Sequence, residues 1–199
     1  MNNVLLIIIA LFTLFVFNEA GPIWVFSVFI LFYIFRNKIK VKLSLLKYIL
    51  FALITGLFIE ALAIINSLKL PIEERALFSP YPIPDLIFAI GYYSFFALGI
   101  FFILRKYKFS LKELFIIGGI FGIFAEQHGL VFLSFNSINY LYVFLSYGSF
   151  IALPYLIFFR DFKKLKRKQT NLKYLFIILA LIVSYLAFLV YYLLLSQII

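Results

Sequence analysis

The chain contains no cysteine and only one histidine, one tryptophan and one methionine, and each shortage removes some chemistry. Without cysteine there is neither a disulfide framework nor a thiol nucleophile. A zinc centre needs three or four ligands, ordinarily with His or Cys among them. One histidine therefore argues against zinc, no metal or cofactor is expected, and only a carboxylate-bound hard cation stays open. HExxH, GxSxG with a histidine partner, the P-loop and the Gly-rich dinucleotide turn are all absent. Charge is scarce as well: 13% of the 199 residues are charged, against roughly a quarter in a soluble domain.

What is present is apolar. Hydrophobic residues make up 66% of the chain and aromatics 22%, more than a water-soluble fold of this size can bury, so lipid must solvate much of it. The net charge of +10 does not point to nucleic acid, because the basic residues fall in short clusters between apolar runs and not on one face with stacking aromatics. Such clusters also attract anionic headgroups. The expected class is an all-α, polytopic membrane bundle forming a single domain over 1–199, with the bilayer as its first partner. Its oligomeric state is left open.

Apolar segments run over 4–17, 23–35, 45–66, 85–104, 113–135, 139–159 and 173–196. They predict seven spans, although the first two are short for a crossing of about 20 residues and could form a re-entrant pair. The first run follows Met1-Asn2-Asn3 with no basic stretch before it, which reads as a retained helix. Every Lys and Arg except Lys69 and Arg75 falls between segments two and three, four and five, or six and seven, or, like Lys47 and Lys173, just inside the segment that follows. The positive-inside rule then predicts a cell-membrane protein with a cytoplasmic N-terminus and an external C-terminus. The opposite side carries the Pro-rich stretch from Asn66 to Pro84, with Glu73, Glu74 and Asp85.

Two stretches resemble each other. Gly56-Leu57-Phe58-Ile59-Glu60 matches Gly122-Ile123-Phe124-Ala125-Glu126, and Tyr92-Tyr93-Ser94-Phe95-Phe96 matches Tyr147-Gly148-Ser149-Phe150-Ile151. This predicts a tandem repeat of a helical hairpin, 45–105 and 113–160. Glu60 follows Lys47 by 13 residues, as Glu126 follows Glu113, and Tyr92 precedes Arg105 by 13, as Tyr147 precedes Arg160. At about 1.5 Å per residue all four lie about 20 Å from the basic side of a core about 30 Å thick. Ala52, Gly56, Glu60 and Ala63 form a small-residue stripe, as do Gly118, Gly122, Glu126 and Gly129, and such stripes pack closely in lipid.

A carboxyl at that depth is costly and marks a candidate site. Glu60 and Glu126 are the expected acid/base pair, with Tyr92 and Tyr147 orienting substrate or carboxyls. The plainer alternative is that these groups bond neighbouring helices and do nothing else. His128 is a subsidiary candidate, since two residues of helix place it about 200° from Glu126.

Two short motifs carry partial resemblances. Leu70-Pro71-Ile72-Glu73-Glu74 resembles the Pro-x-Glu-Glu element of the membrane-bound carotenoid cyclases, which implies acid chemistry on an isoprenoid. It matches over five residues, once, in a loop. Phe124 and His128, taken with Glu73-Glu74, resemble a fragment of the glutamate-dependent intramembrane prenyl-protein proteases, which need a second His motif that this chain lacks.

Three functions are compatible with these features. The first is a membrane-embedded acid/base enzyme acting on a hydrophobic lipid or isoprenoid from the outer leaflet. The second is a small transporter or channel binding a proton or cation at the carboxylate pair. The third is an assembly or scaffold subunit.

Overall fold

Once lipid replaces water, backbone N–H and C=O groups have only each other as partners, and the α-helix satisfies them within one segment. A computed structural model describes residues 3–16, 21–75, 77–126, 130–133 and 135–198. Among these residues the chain is all-helical, and the only β pairing is one isolated parallel bridge, Tyr107 to Lys168. In chain order the described α-helices are α1 (Asn3–Val16), α2 (Trp24–Phe35), α3 (Leu45–Ser67), α4 (Pro82–Lys106), α5 (Leu111–Ala125), α6 (Leu130–Leu133), α7 (Ser137–Ile157), α8 (Phe159–Lys164) and α9 (Leu172–Leu195).

Helices α3, α4, α7 and α9, of 23, 25, 21 and 24 residues, are long and apolar enough to cross a membrane. They coincide with the runs 45–66, 85–104, 139–159 and 173–196 to within a few residues at either end. Length and composition thus qualify four spans where hydropathy predicts seven. Helix α1 has 14 residues and α2 has 12. The run 113–135, expected as one helix, is interrupted: α5 ends at Ala125, and Glu126 is extended, with φ −64° and ψ 131°. The sequence at this point is the polar stretch Glu-Gln-His-Gly.

The helix ends follow their local sequence. Ser44 accepts from the Lys47 N–H at the start of α3, and Ser110 and Glu113 form a reciprocal capping box on α5. Pro82 opens α4, where a missing N–H costs nothing. Pro154 sits inside α7 and removes one ladder bond, and that helix ends soon after it, before Phe158.

Helix α3 packs on α4, α5 on α7, and α7 on both α2 and α3, while α9 lies along α4 and α1 along α2. The resulting core runs through Tyr48, Phe96, Leu104, Ile151, Tyr155 and Phe162. The basic end is tied by three long-range links. Leu43 N–H donates to Asp161 Oδ2 at 2.8 Å, Lys173 Nζ reaches Glu113 Oε1 at 2.6 Å, and Lys168 N–H donates to Lys106 O at 2.9 Å.

Candidate functional site

Towards the end of the bundle away from the basic clusters, α3 and α5 each present a glutamate one helical turn after a glycine. Glu60 is 7% exposed, and Glu126 is half-buried. Neither faces outward. The Tyr93 hydroxyl donates to Glu60 Oε2 at 2.9 Å, and the Tyr147 hydroxyl donates to Glu126 Oε2 at 2.5 Å.

The glycines make room for these phenols. A Cβ built on Gly56 would stand 2.1 Å from Tyr93 Cγ, and one built on Gly122 would stand 2.4 Å from Tyr147 Cγ. Each unit is therefore a Gly-x-x-x-Glu on one helix and a tyrosine from a neighbouring one, its ring on the glycine and its hydroxyl on the carboxyl. Ala52 and Gly118, earlier on the two small-residue stripes, are buried as well.

The two units meet. Glu126 lies within electrostatic reach of Glu60, Tyr92 and Tyr93, and Tyr147 lies within reach of Tyr92. The rings of Tyr92 and Tyr93 stand edge to face, with centroids 5.2 Å apart. The structure thus brings together Glu60, Glu126, Tyr92 and Tyr147. It differs from the sequence reading in one role: Tyr93, not Tyr92, is the phenol on Glu60. The two neighbours point about 100° apart on α4, and only the packed rotation of that helix selects between them. His128 lies outside the described residues.

A third carboxyl belongs to the cluster, one that the sequence reading places only on the outer side, at the start of the run 85–104. Asp85 is fully buried in the first turn of α4. Its Oδ1 accepts the Ser79 N–H at 3.0 Å, which folds the Ser79–Pro82 stretch over the helix start. Its carboxyl also lies within electrostatic reach of that of Glu60. Oδ2 is buried and has no hydrogen-bond partner. Among the described residues no Lys or Arg forms an ion pair with Glu60 or Asp85. A hint of this role was present in the sequence: an acid three residues into a helix, just after Pro82 and Pro84, faces back along that helix's first turn.

Glu73 and Glu74, which carry the two family resemblances, sit in an exposed 3-10 turn, Ile72–Glu74. Arg75 braces that loop through its backbone, donating to Leu70 O at 3.3 Å and to Pro80 O at 2.9 Å. No group of three or more metal-ligating side chains is found among the described residues.

A cluster of carboxyls and phenols without a balancing cation on Glu60 or Asp85 can hold, donate and accept a proton, and it can orient an apolar molecule that reaches it. Compared with known proteins, the chain matches no family model, no curated protein and no solved structure.

Proposed function

We propose that this chain is a membrane-embedded acid/base enzyme acting on a hydrophobic lipid or isoprenoid. The observation that carries this reading is the buried cluster in which Glu60 and Glu126 are each held by a tyrosine hydroxyl. One carboxyl protonates a carbon–carbon double bond of the substrate. The other removes a proton from a neighbouring carbon, so that the enzyme returns to its starting charge. Tyr93 and Tyr147 fix the two carboxyls, Tyr92 links the phenols, and Asp85 shares the proton of Glu60. Glu60 lies seven residues, or about 10 Å, from the end of α3, which favours entry from the leaflet away from the basic clusters.

The glycine–glutamate–tyrosine units support a duplicated hairpin over 45–105 and 113–160, although the first unit uses Tyr93, one residue after the position that the sequence match pairs with Tyr147. The basic clusters support a topology of seven crossings in the cell membrane, N-terminus inside and C-terminus outside.

The test follows the transferred proton. Membranes of cells that make the chain are incubated in D2O, and their apolar lipids are analysed for carbon-bound deuterium. The expected result is a deuterated lipid that is absent from cells carrying Glu60→Gln. If the label is the same with Glu60→Gln and with Glu126→Gln, and both variants fold, the acid/base reading fails.

One observation favours a second reading, a small transporter or channel. Helix α5 stops at Ala125 and leaves Glu126 on a discontinuous segment, and interrupted helices line many transport sites. Proton flux into liposomes containing the purified chain, abolished by Glu126→Gln, would decide for it.

A further inference from the structure

A cavity of about 550 Å³ opens at the basic end of the bundle, and it shares no lining residue with the carboxyl–phenol cluster. Four cations line it: Arg36 just after α2, Lys108 between α4 and α5, Lys163 in α8, and Arg167 before α9. One carboxylate, Glu113, lines it too, and it is already engaged. It accepts from the Ser110 N–H at 2.6 Å, from Lys173 Nζ at 2.6 Å and from the Tyr174 hydroxyl.

Among the described residues none of the four cations has a carboxylate partner. Aromatic faces and carbonyls position Arg36, Lys163 and Arg167 without neutralising them. The Arg36 guanidinium lies 4.0 Å from the Tyr33 ring centroid and donates to Tyr33 O at 2.6 Å. Lys163 Nζ stands 4.5 Å from the Phe159 ring centroid. Arg167 donates through Nη1 to Leu104 O at 3.3 Å, while its Nε is buried with no acceptor. A buried guanidinium N–H without an acceptor is costly, and two guanidiniums with two ammoniums match the several oxygens of a phosphate better than they match a single carboxylate.

The remaining wall includes Leu111, Leu156 and Phe159, so the cavity suits an anion that carries hydrocarbon. It lies where α2, α4 and α7 end, the end at which the positive-inside rule puts cytoplasmic headgroups. We propose that this cavity binds a phosphate group, supplied by a phospholipid of the adjoining leaflet or by a soluble phosphate compound. The proposal does not rest on the acid/base reading.

The purified full-length chain is placed in nanodiscs of phosphatidylcholine with and without phosphatidylglycerol, and lipid retained after release is measured by native mass spectrometry. In parallel, thermal unfolding in detergent is followed with inorganic phosphate and with chloride at matched ionic strength. Selective retention of phosphatidylglycerol identifies the lipid as the source. Protection by phosphate but not by chloride identifies a soluble compound. In either case Arg36→Gln with Arg167→Gln weakens the effect about tenfold or more, the loss expected for charge-assisted hydrogen bonds.

Lys42→Gln with Lys164→Gln, in the separate basic cavity beside Asp161, leaves the effect in place. Lys108→Gln with Lys163→Gln serves if the arginine variant does not fold, because neither ammonium holds a hydrogen bond among the described residues. The proposal is overturned if neither probe binds selectively, or if the Lys42 and Lys164 variant loses as much as the site variants. The attraction would then belong to the basic surface as a whole.

Discussion

The ring of Tyr93 occupies the space that a side chain at Gly56 would need, its Cγ 2.1 Å from the position of a Cβ there. The glycine therefore does more than allow two helices to approach. It sets the height at which the phenol meets Glu60, one turn further along α3. Gly122 stands in the same relation to Tyr147 and Glu126.

Gly56→Ala and Gly122→Ala are expected to displace those rings. Overpacking of this kind costs about 1–3 kcal/mol, so thermal unfolding in detergent should start at a lower temperature in each variant. Gly99→Ala makes a useful comparison, since its nearest neighbour is the Ser184 hydroxyl at 2.4 Å, the tip of a small side chain and not a ring. A larger loss at Gly99 than at Gly56 or Gly122 would contradict the account.

Tyr93→Phe keeps the ring and removes the donor to Glu60, whereas Tyr92→Phe leaves that bond intact. Infrared difference spectra of the Glu60 carboxyl, assigned with Glu60→Gln, should shift in Tyr93→Phe and change much less in Tyr92→Phe. Stability should fall by only about 0.6 kcal/mol, the average for an interhelical hydrogen bond in a membrane. Equal spectra in the two variants would remove Tyr93 from its place on the carboxyl.

Lys173 is 3% exposed in its side chain and pairs with Glu113, which is 28% exposed. Removing the acid leaves an ammonium buried against Lys108 O and the rings of Phe109 and Tyr174. Removing the base leaves a carboxylate that water can reach. Glu113→Gln should therefore destabilise more than Lys173→Met, by about 1–3 kcal/mol against the smaller loss of the partly exposed carboxylate. Chemical unfolding of both variants in the same detergent checks the order.

The Leu43 N–H, with the Lys164 ammonium beside it, holds the Asp161 carboxyl below the ordinary range. A group depressed in the folded state stabilises fully above its unfolded value, near ~3.9 for aspartate. That contribution disappears as pH falls through the folded value. Hydrogen exchange across residues 39–44, corrected for intrinsic rates, should quicken as pH falls below that unfolded value. With Asp161→Asn it should already be fast at neutral pH and show no such step.

Part of the fold could be read from the residues alone because hydropathy and length are additive along a chain. The runs at 45–66, 85–104, 139–159 and 173–196 become α3, α4, α7 and α9 with little adjustment. Lipid leaves each of them no other way to satisfy its backbone. The inward phase of Glu60 was also legible, since glycine and alanine at a helical spacing mark the face that packs.

What hydropathy does not carry is partnership. It cannot tell Tyr92 from Tyr93, because the choice depends on how α4 is turned when it meets α3. It puts Asp85 at the outer end of the run 85–104 without a partner, because only the fold of the Ser79–Pro82 stretch brings that carboxyl under cover. It also runs through Glu126 without a break, whereas α5 ends at Ala125 and the Glu126 carboxyl accepts the Tyr147 hydroxyl of α7. The amino-acid sequence by itself determined that the chain is helical, rich in apolar helices long enough for lipid, and equipped with two inward carboxyls. The tertiary structure decided which groups those carboxyls touch, since contact depends on the rotation and depth of several helices at once and no single segment encodes either.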